Sequence, residues 1–237
     1  MLGLKLGHSI TGLGKTGQNI YSLSFNGTDE SVTVNGINSD ISVSTGTISA
    51  WIKFNAMSGN GIILKAQNDS NNNINLHYNN TNSEVRLIYK AGGTSVTAAI
   101  TDAVENDGKW HHIMGTWNVS ANQVKIYLDG VLKQTSTGVG TWSGSIGATS
   151  IGNNTAGGAF INAYICEVSV FTSVVPIANI FKANHEPINV TGMSGLIGYW
   201  RFDDGTGETA IDSSGKGETG TLVNTPTWIT DVPYKAG

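Results

Sequence analysis

Hydrophobic and polar residues alternate along most of the chain with a period of two, the repeat of a strand that buries one face. The cleanest run is 123–130. Val124, Ile126 and Leu128 fall on one face, Lys125, Tyr127 and Asp129 on the other. Asp129-Gly130 supplies the positive-φ pair of a tight hairpin, and Val131 and Leu132 resume the extended pattern. Residues 109–117, just upstream, carry bulk on both faces: Trp110, His112 and Met114 on one, Ile113 and Trp117 on the other. A strand covered on both faces lies inside a sheet packed against a second layer, so the pattern predicts a two-sheet antiparallel β-sandwich. Further strands are expected at 21–25, 31–34 and 48–54, as short segments at 61–65, 73–78 and 84–90, and as one long strand at 160–171. The exception is 176–184, which allows one short helix. Pro176 suits a first helical turn, and Ile177, Ile180, Phe181 and Asn184 recur at helical spacing.

Composition agrees with an all-β reading. Only 13% of residues are charged and 31 are glycine, so the surface is made mainly of neutral hydrogen-bonding groups. The net charge is −4, with no run of basic residues, which argues against binding a nucleic-acid backbone. No apolar stretch reaches the length needed to cross a membrane. The N-terminus lacks the uninterrupted apolar run of a signal peptide. Cys166 is the single cysteine and reads as a small buried hydrophobe. Without disulfides, folding in a reducing cytoplasm is expected. Residues 1–19 are glycine-rich and weakly patterned and read as an N-terminal arm or linker, leaving 20–237 as one domain.

The run Lys-Trp-His-His-Ile at 109–113, Gly-Thr-Trp at 115–117 and Val-Lys-Ile-Tyr-Leu-Asp-Gly at 124–130 resembles the signature hairpin of laminin-G-like jelly rolls in the concanavalin A-like lectin/glucanase superfamily. The segments Ser-Leu-Ser-Phe-Asn-Gly at 22–27 and Thr-Ile-Ser-Ala-Trp-Ile-Lys-Phe at 47–54 are similar to the family's opening strands. Residues 195–222, with Trp200-Arg201-Phe202-Asp203-Asp204-Gly205 and Asp212-Ser213-Ser214-Gly215, resemble a second family phrase, which in many relatives precedes the opening hairpin. Its place at the end of this chain implies a permuted order, or a segment that completes a sheet late or on a neighbour. That order also resembles lectin-like structural proteins of tailed bacteriophages.

The glycanases that the resemblance brings in carry two acids on one strand face, which sets acid and nucleophile a few ångströms apart. Here Glu30, Glu84, Glu105, Glu167 and Glu186 are isolated, and Asp203 and Asp204, being neighbours, would face opposite ways on a strand. His111 and His112 likewise point apart and read as structural. The resemblance implies a structural calcium, with Asp203, Asp204, Asp212 and Glu167 as candidate oxygen ligands. Cys166 stands where the family's Ile-Asp-Glu-Val strand has its Asp, which argues against a full site. Trp142, an aromatic alone in a polar loop, reads either as a glycan or partner contact, with Asn153 and Asn154 beside it in the same 136–158 stretch, or as a ring folded back on the sandwich.

These readings together lead to an expectation of a non-enzymatic bacteriophage virion protein, a capsid decoration or tail appendage, with a lectin-like domain. Its partners would be other virion proteins and cell-surface glycans, with homo-oligomers common in such settings. It would be made in the host cytoplasm and end in the virion. The alternative is an extracellular bacterial carbohydrate-binding or adhesion module; a divergent glycan hydrolase ranks third.

Overall fold

A computed structural model describes residues 18–234. The predicted arm, apart from Gln18 and Asn19, lies outside the described residues. Among the described residues, sixteen strands form the sandwich: β1 Ser22–Asn26, β2 Ser31–Thr33, β3 Thr45–Phe54, β4 Gly61–Asp69, β5 Asn72–Asn79, β6 Glu84–Ala91, β7 Thr94–Ile100, β8 His111–Asn118, β9 Gln123–Leu128, β10 Val131–Ser136, β11 Ala148–Ile151, β12 Asn162–Phe171, β13 Leu196–Trp200, β14 Thr209–Ala210, β15 Gly220–Val223 and β16 Thr227–Ile229. The first sheet runs β10-β9-β8-β3-β12-β1-β16, with β13 also on β12. The second runs β14-β15-β2-β11-β4-β5-β6-β7. All the pairings are antiparallel.

Alternation decides what each strand buries. On β3 the residues Ile48, Ala50, Ile52 and Phe54 are inside, opposite Leu64, Leu76, Leu87 and Tyr89 of the second sheet in one apolar cluster. Three of the large buried aromatics place their polar ends on backbone carbonyls, so burying them strands no donor. Trp117 Nε1 donates to Ser42 O at 3.0 Å, Trp200 Nε1 to Glu218 O at 2.9 Å and Tyr89 Oη to Val43 O at 2.7 Å. Asp129 (φ 47°) and Gly130 (φ 81°) form the predicted β9–β10 turn.

The C-terminal phrase completes both sheets of its own chain. β14 and β15 extend the second sheet beside β2, and β16 adds to β1 in the first. Asp212 fixes this region: its carboxylate accepts the backbone N–H of Tyr199, Ser214 and Glu218, each at 2.9 Å.

The two outer faces differ. On the first sheet, Met114, Phe171, Leu196 and Tyr199 form a second apolar cluster with Val175, Ile180 and Val190 of the connection between β12 and β13. That connection is where the short helix was expected. Only a single 3-10 turn forms, at Ile177–Asn179. The reason is packing: Phe181 stacks on Trp51 at 6.0 Å and bridges to Pro187, while its neighbour Ile180 is buried in the second cluster. Two adjacent side chains both drawn onto the sheet suit extended backbone, not a helix. The outer face of the second sheet is mostly polar, from Thr209 through Thr33, Ser150, Lys65 and Asn75 to Thr97, with Ile88 as the apolar member of the row.

Gly46 marks the tightest point between sheet and core. A Cβ there would lie 2.1 Å from the Trp117 ring and 2.8 Å from Phe171 O. Alanine in a strand ordinarily gains about 0.5–1 kcal/mol over glycine, but overpacking here outweighs that gain. Gly46→Ala is expected to lose about 1–3 kcal/mol, read as a lower urea midpoint at unchanged slope.

Candidate functional site

Titratable groups gather first at a bulge in β12. Its ladder with β3 shifts register between Cys166 and Ser169, and Glu167 takes a left-handed conformation there (φ 53°). Bulges re-aim side chains in this way. The Glu167 carboxyl is 5% exposed; it accepts from Tyr199 Oη and from Arg201 Nε at 3.2 Å. Burial outweighs the attraction of Arg201 and raises its pKa to about 8. Nearby, Ser49 Oγ and His112 Nε2 lie 2.7 Å apart. Burial lowers the His112 pKa to about 4. Ser49, His112 and Glu167 border a small internal cavity of about 10 Å³ beneath Ile180, Ile188 and Val190. A hydroxyl beside an imidazole resembles an activated nucleophile, yet this pair lies beneath apolar side chains in a cavity far smaller than a small-molecule site. Cys166 is fully buried, and burial pushes its thiol well up.

His111 and His112 point apart, as expected. His111 Nδ1 lies 2.7 Å from Asp129 Oδ2 and its Nε2 lies 3.0 Å from Asp107 Oδ2. Burial opposes its charge, but these two carboxylates raise its pKa overall. Asp129 also accepts the His112 backbone N–H at 2.8 Å, so this cluster pins the start of β8 to the hairpin turn.

The four candidate metal ligands do not converge. Asp203 Oδ1 accepts the N–H of Ile20 and Tyr21 at 2.7 and 2.9 Å, Asp204 accepts that of Ile211 at 3.2 Å, Asp212 holds its own turn, and Glu167 is buried with Arg201. Among the described residues, no group of three or more His, Cys, Asp or Glu side chains is placed to hold a metal ion. Turn carboxylates in this chain serve backbone N–H groups.

The structure separates Trp142 from Asn153 and Asn154. Trp142 is half-buried against the core, its ring 5.8 Å from that of Tyr89 and its Nε1 on Gly144 O at 3.1 Å. It sits by the β4–β5 turn, where Ser143 bonds Asn72. Asn153 and Asn154 follow β11, level with Ile63 near the start of β4. The stretch of β4 from Ile63 to Asp69, at about 3.3 Å per residue, puts roughly 20 Å between the two places. Asn153 and Asn154 build their own loop: their Oδ1 atoms accept the N–H of Thr155 and Ala156, each at 3.2 Å, and Asn154 N donates to Gly158 O at 2.9 Å.

The residues that follow that loop, from Ala159, line a cleft of about 500 Å³ at this end of the sandwich. Ala159, Phe160 and Asn162 line one side, Asn26–Thr28 and Met57–Asn60 the others. Gly27 lets the first loop come close; a Cβ there would lie 2.9 Å from that of Asn162. Asn162 Nδ2 donates to Ala56 O at 3.0 Å, and Asn60 Oδ1 accepts Asn80 N at 2.9 Å. The walls are therefore preformed. Phe160 is half-buried, while Thr28, Ser58 and Asn60 are exposed at the mouth. A ring face beside hydroxyl and amide groups matches a sugar, with its apolar C–H face and polar rim. A cleft of about 550 Å³ at the opposite end, lined by Asn35, Asn38, Ile41 and Ile146 among others, has no aromatic lining. Sequence reasoning took Phe160 only as the start of a strand. Its place next to a polar loop was the available signal.

The family model described as concanavalin A-like lectin/glucanases superfamily, of laminin G type, matches residues 26–180. The chain belongs to that superfamily. No curated protein matches it in sequence. Among solved structures, it is similar to a Bacteroides ovatus protein provisionally assigned to carbohydrate binding, with a TM-score of 0.65 at 16% identity over 90% of this chain and 60% of that one. It is also similar to the CBM40 module of the Ruminococcus gnavus IT-sialidase, solved both alone and with α2,3-sialyllactose, with a TM-score of 0.54 at 14% identity over 68% of this chain and 98% of that one. The NanB sialidase of Streptococcus pneumoniae (K499G mutant) matches with a TM-score of 0.57 at 14% identity over 78% of this chain and 31% of its own. The chain thus spans 60% of the Bacteroides protein and under a third of NanB. At these identities the likeness is one of fold.

Glu167 gives a pH prediction. Its folded pKa is raised from the ordinary glutamate value of 4.5 to about 8, so the folded state binds the extra proton in that window and stability falls as pH rises through it. Above the folded value the full cost of a buried carboxylate is present; below 4.5 it vanishes. Glu167→Gln is therefore expected to raise the melting temperature at pH 8.5 relative to the parent and to leave it nearly unchanged at pH 4.5, measured by thermal unfolding at both.

Proposed function

We propose that the chain is a non-catalytic carbohydrate-binding module that takes a sugar unit on Phe160 in the end cleft. The supporting observation is the cleft itself, where an aromatic ring, preformed amide-braced walls and exposed hydroxyl and amide groups meet. Its volume lies in the range of small-molecule sites. The similar folds include a carbohydrate-binding module and a protein provisionally assigned to carbohydrate binding. The non-catalytic reading is supported by Glu167, the buried glutamate at the bulge, which is committed to Tyr199 and Arg201 beneath an apolar roof.

A bacterial carbohydrate-binding or adhesion setting is better supported than a virion. The virion setting rests on the sequence readings, among them the order of the signature segments, and the structures named above add nothing to it. Calcium forms no part of this reading, because the candidate ligands hold turns and bulge instead.

Phe160→Ala should weaken binding of a glycan selected on an array by about tenfold, ~1.4 kcal/mol, with little change in melting temperature since the ring is only half-buried. Isothermal titration calorimetry reads the first and thermal unfolding the second. Unchanged affinity would remove the cleft from the account.

A further inference from the structure

The outer face of the second sheet carries chemistry that the end cleft does not use. Register pairs Lys65 with Asn75, Gln67 with Asn73, Asn73 with Lys90, and His77 with Arg86. Three cations from two strands, Lys65 on β4 and Arg86 and Lys90 on β6, thus share one face of a chain whose net charge is −4. Arg86 is paired with Glu84 at 2.6 Å. Neither Lys65 nor Lys90 has a carboxylate in ion-pairing distance among the described residues. Asp69, at the end of β4, lies near enough to feel Lys90 but is engaged by Asn71 and Asn72. Burial, with Lys90 as a second cation, lowers the pKa of the Lys65 ammonium, the condition of a charge short of water and of a counter-ion.

The hydrogen bonding of this face is also incomplete. His77 is 6% exposed and its Nδ1 has no partner; the buried Oδ1 of Asn75 has none either. Burial and the charges of Arg86 and Lys65 lower the His77 pKa to about 4, so at neutral pH it is an uncharged donor–acceptor ring among cations. Buried polar groups are otherwise almost always paired. The first sheet offers the contrast. Its outer face is apolar and covered by the 172–195 connection, whereas Lys65, Gln67, Arg86 and Lys90 on the outer face of the second sheet stay partly exposed.

We propose that this face is a second binding surface, separate from the end cleft, for anionic saccharides bearing carboxylate or sulfate groups, with Lys65 and Lys90 meeting the anion and Gln67 meeting a hydroxyl. Amides and ammonium groups together suit a ligand that is both hydroxyl-rich and charged. The negative charge of the whole chain disfavours long polyanions such as duplex nucleic acid.

The test is calorimetric titration of the full chain with a sulfated hexasaccharide, its desulfated counterpart and a uronate hexasaccharide, at low and at physiological salt. The sulfated or the uronate ligand, or both, is expected to bind and to weaken with salt, the desulfated one at least tenfold more weakly. Lys65→Gln/Lys90→Gln should lose at least tenfold toward the anionic ligands, whereas Phe160→Ala should not change their affinity. Lysine acetylation of the parent protein, mapped by mass spectrometry, gives a readout that needs no variant: bound ligand should slow labelling at Lys65 and Lys90 but not at Lys216. The proposal is overturned if neither anionic ligand binds, if the desulfated ligand binds equally, if the double variant binds as the parent does, or if duplex DNA or anionic vesicles bind as well as the saccharides. Loss of binding in Phe160→Ala together with retention in the double variant would assign any anionic binding to the cleft instead.

Discussion

The pairing of β3 with β12 is the reference for everything else in the first sheet. The two strands run together from Ala163↔Phe54 to Phe171↔Thr47. Their inner side chains reach the core, and their outer ones carry Ser49, Trp51 and Phe171 to the covering connection. The ladder breaks once, at Glu167. Before the break β12 pairs with β1; beyond it, with β13. The bulge thus lets one strand serve two neighbours and turns a glutamate toward Tyr199 and Arg201. An ionised carboxylate there has little water, which is why its pKa is raised and why its protonation is tied to folding.

The outer faces divide the labour of the molecule. Apolar residues on the first sheet require a cover, and the long connection between β12 and β13 supplies it through Phe181, Ile180 and Val190. That cover buries Ser49 and His112 and leaves them as packing and hydrogen-bonding groups. Polar residues on the second sheet need no cover. The recognition proposed above falls to this polar face and to the loops at the ends of the strands, where Phe160 and neighbouring loops line a cleft.

Much of the fold was legible in the residue pattern because a period of two leaves few alternatives. The β9–β10 hairpin, the buried inner row of β3 and the buried Cys166 could all be read from local order. Residues whose roles depend on distant partners could not. Phe181 sits at helical spacing, yet its position answers to Trp51. Asp203, Asp204 and Asp212 lie in glycine-rich turns that would suit calcium, but the nearest demands on them are backbone N–H groups. Trp142 and Asn153 are close in sequence and far apart in space, because β11 runs between them along β4. Lys65, Arg86 and Lys90 form no basic run; only the β4–β5–β6 register brings them onto one face.

The central claim is that this sandwich binds saccharides. The most direct measurement is a glycan-array screen of the purified chain, run once with calcium and once with chelator. The account predicts selective binding that survives chelation, since the candidate calcium ligands are engaged elsewhere in the fold. Binding to no glycan under either condition would contradict the claim, and binding abolished by chelator would contradict the roles given to Asp203, Asp204, Asp212 and Glu167.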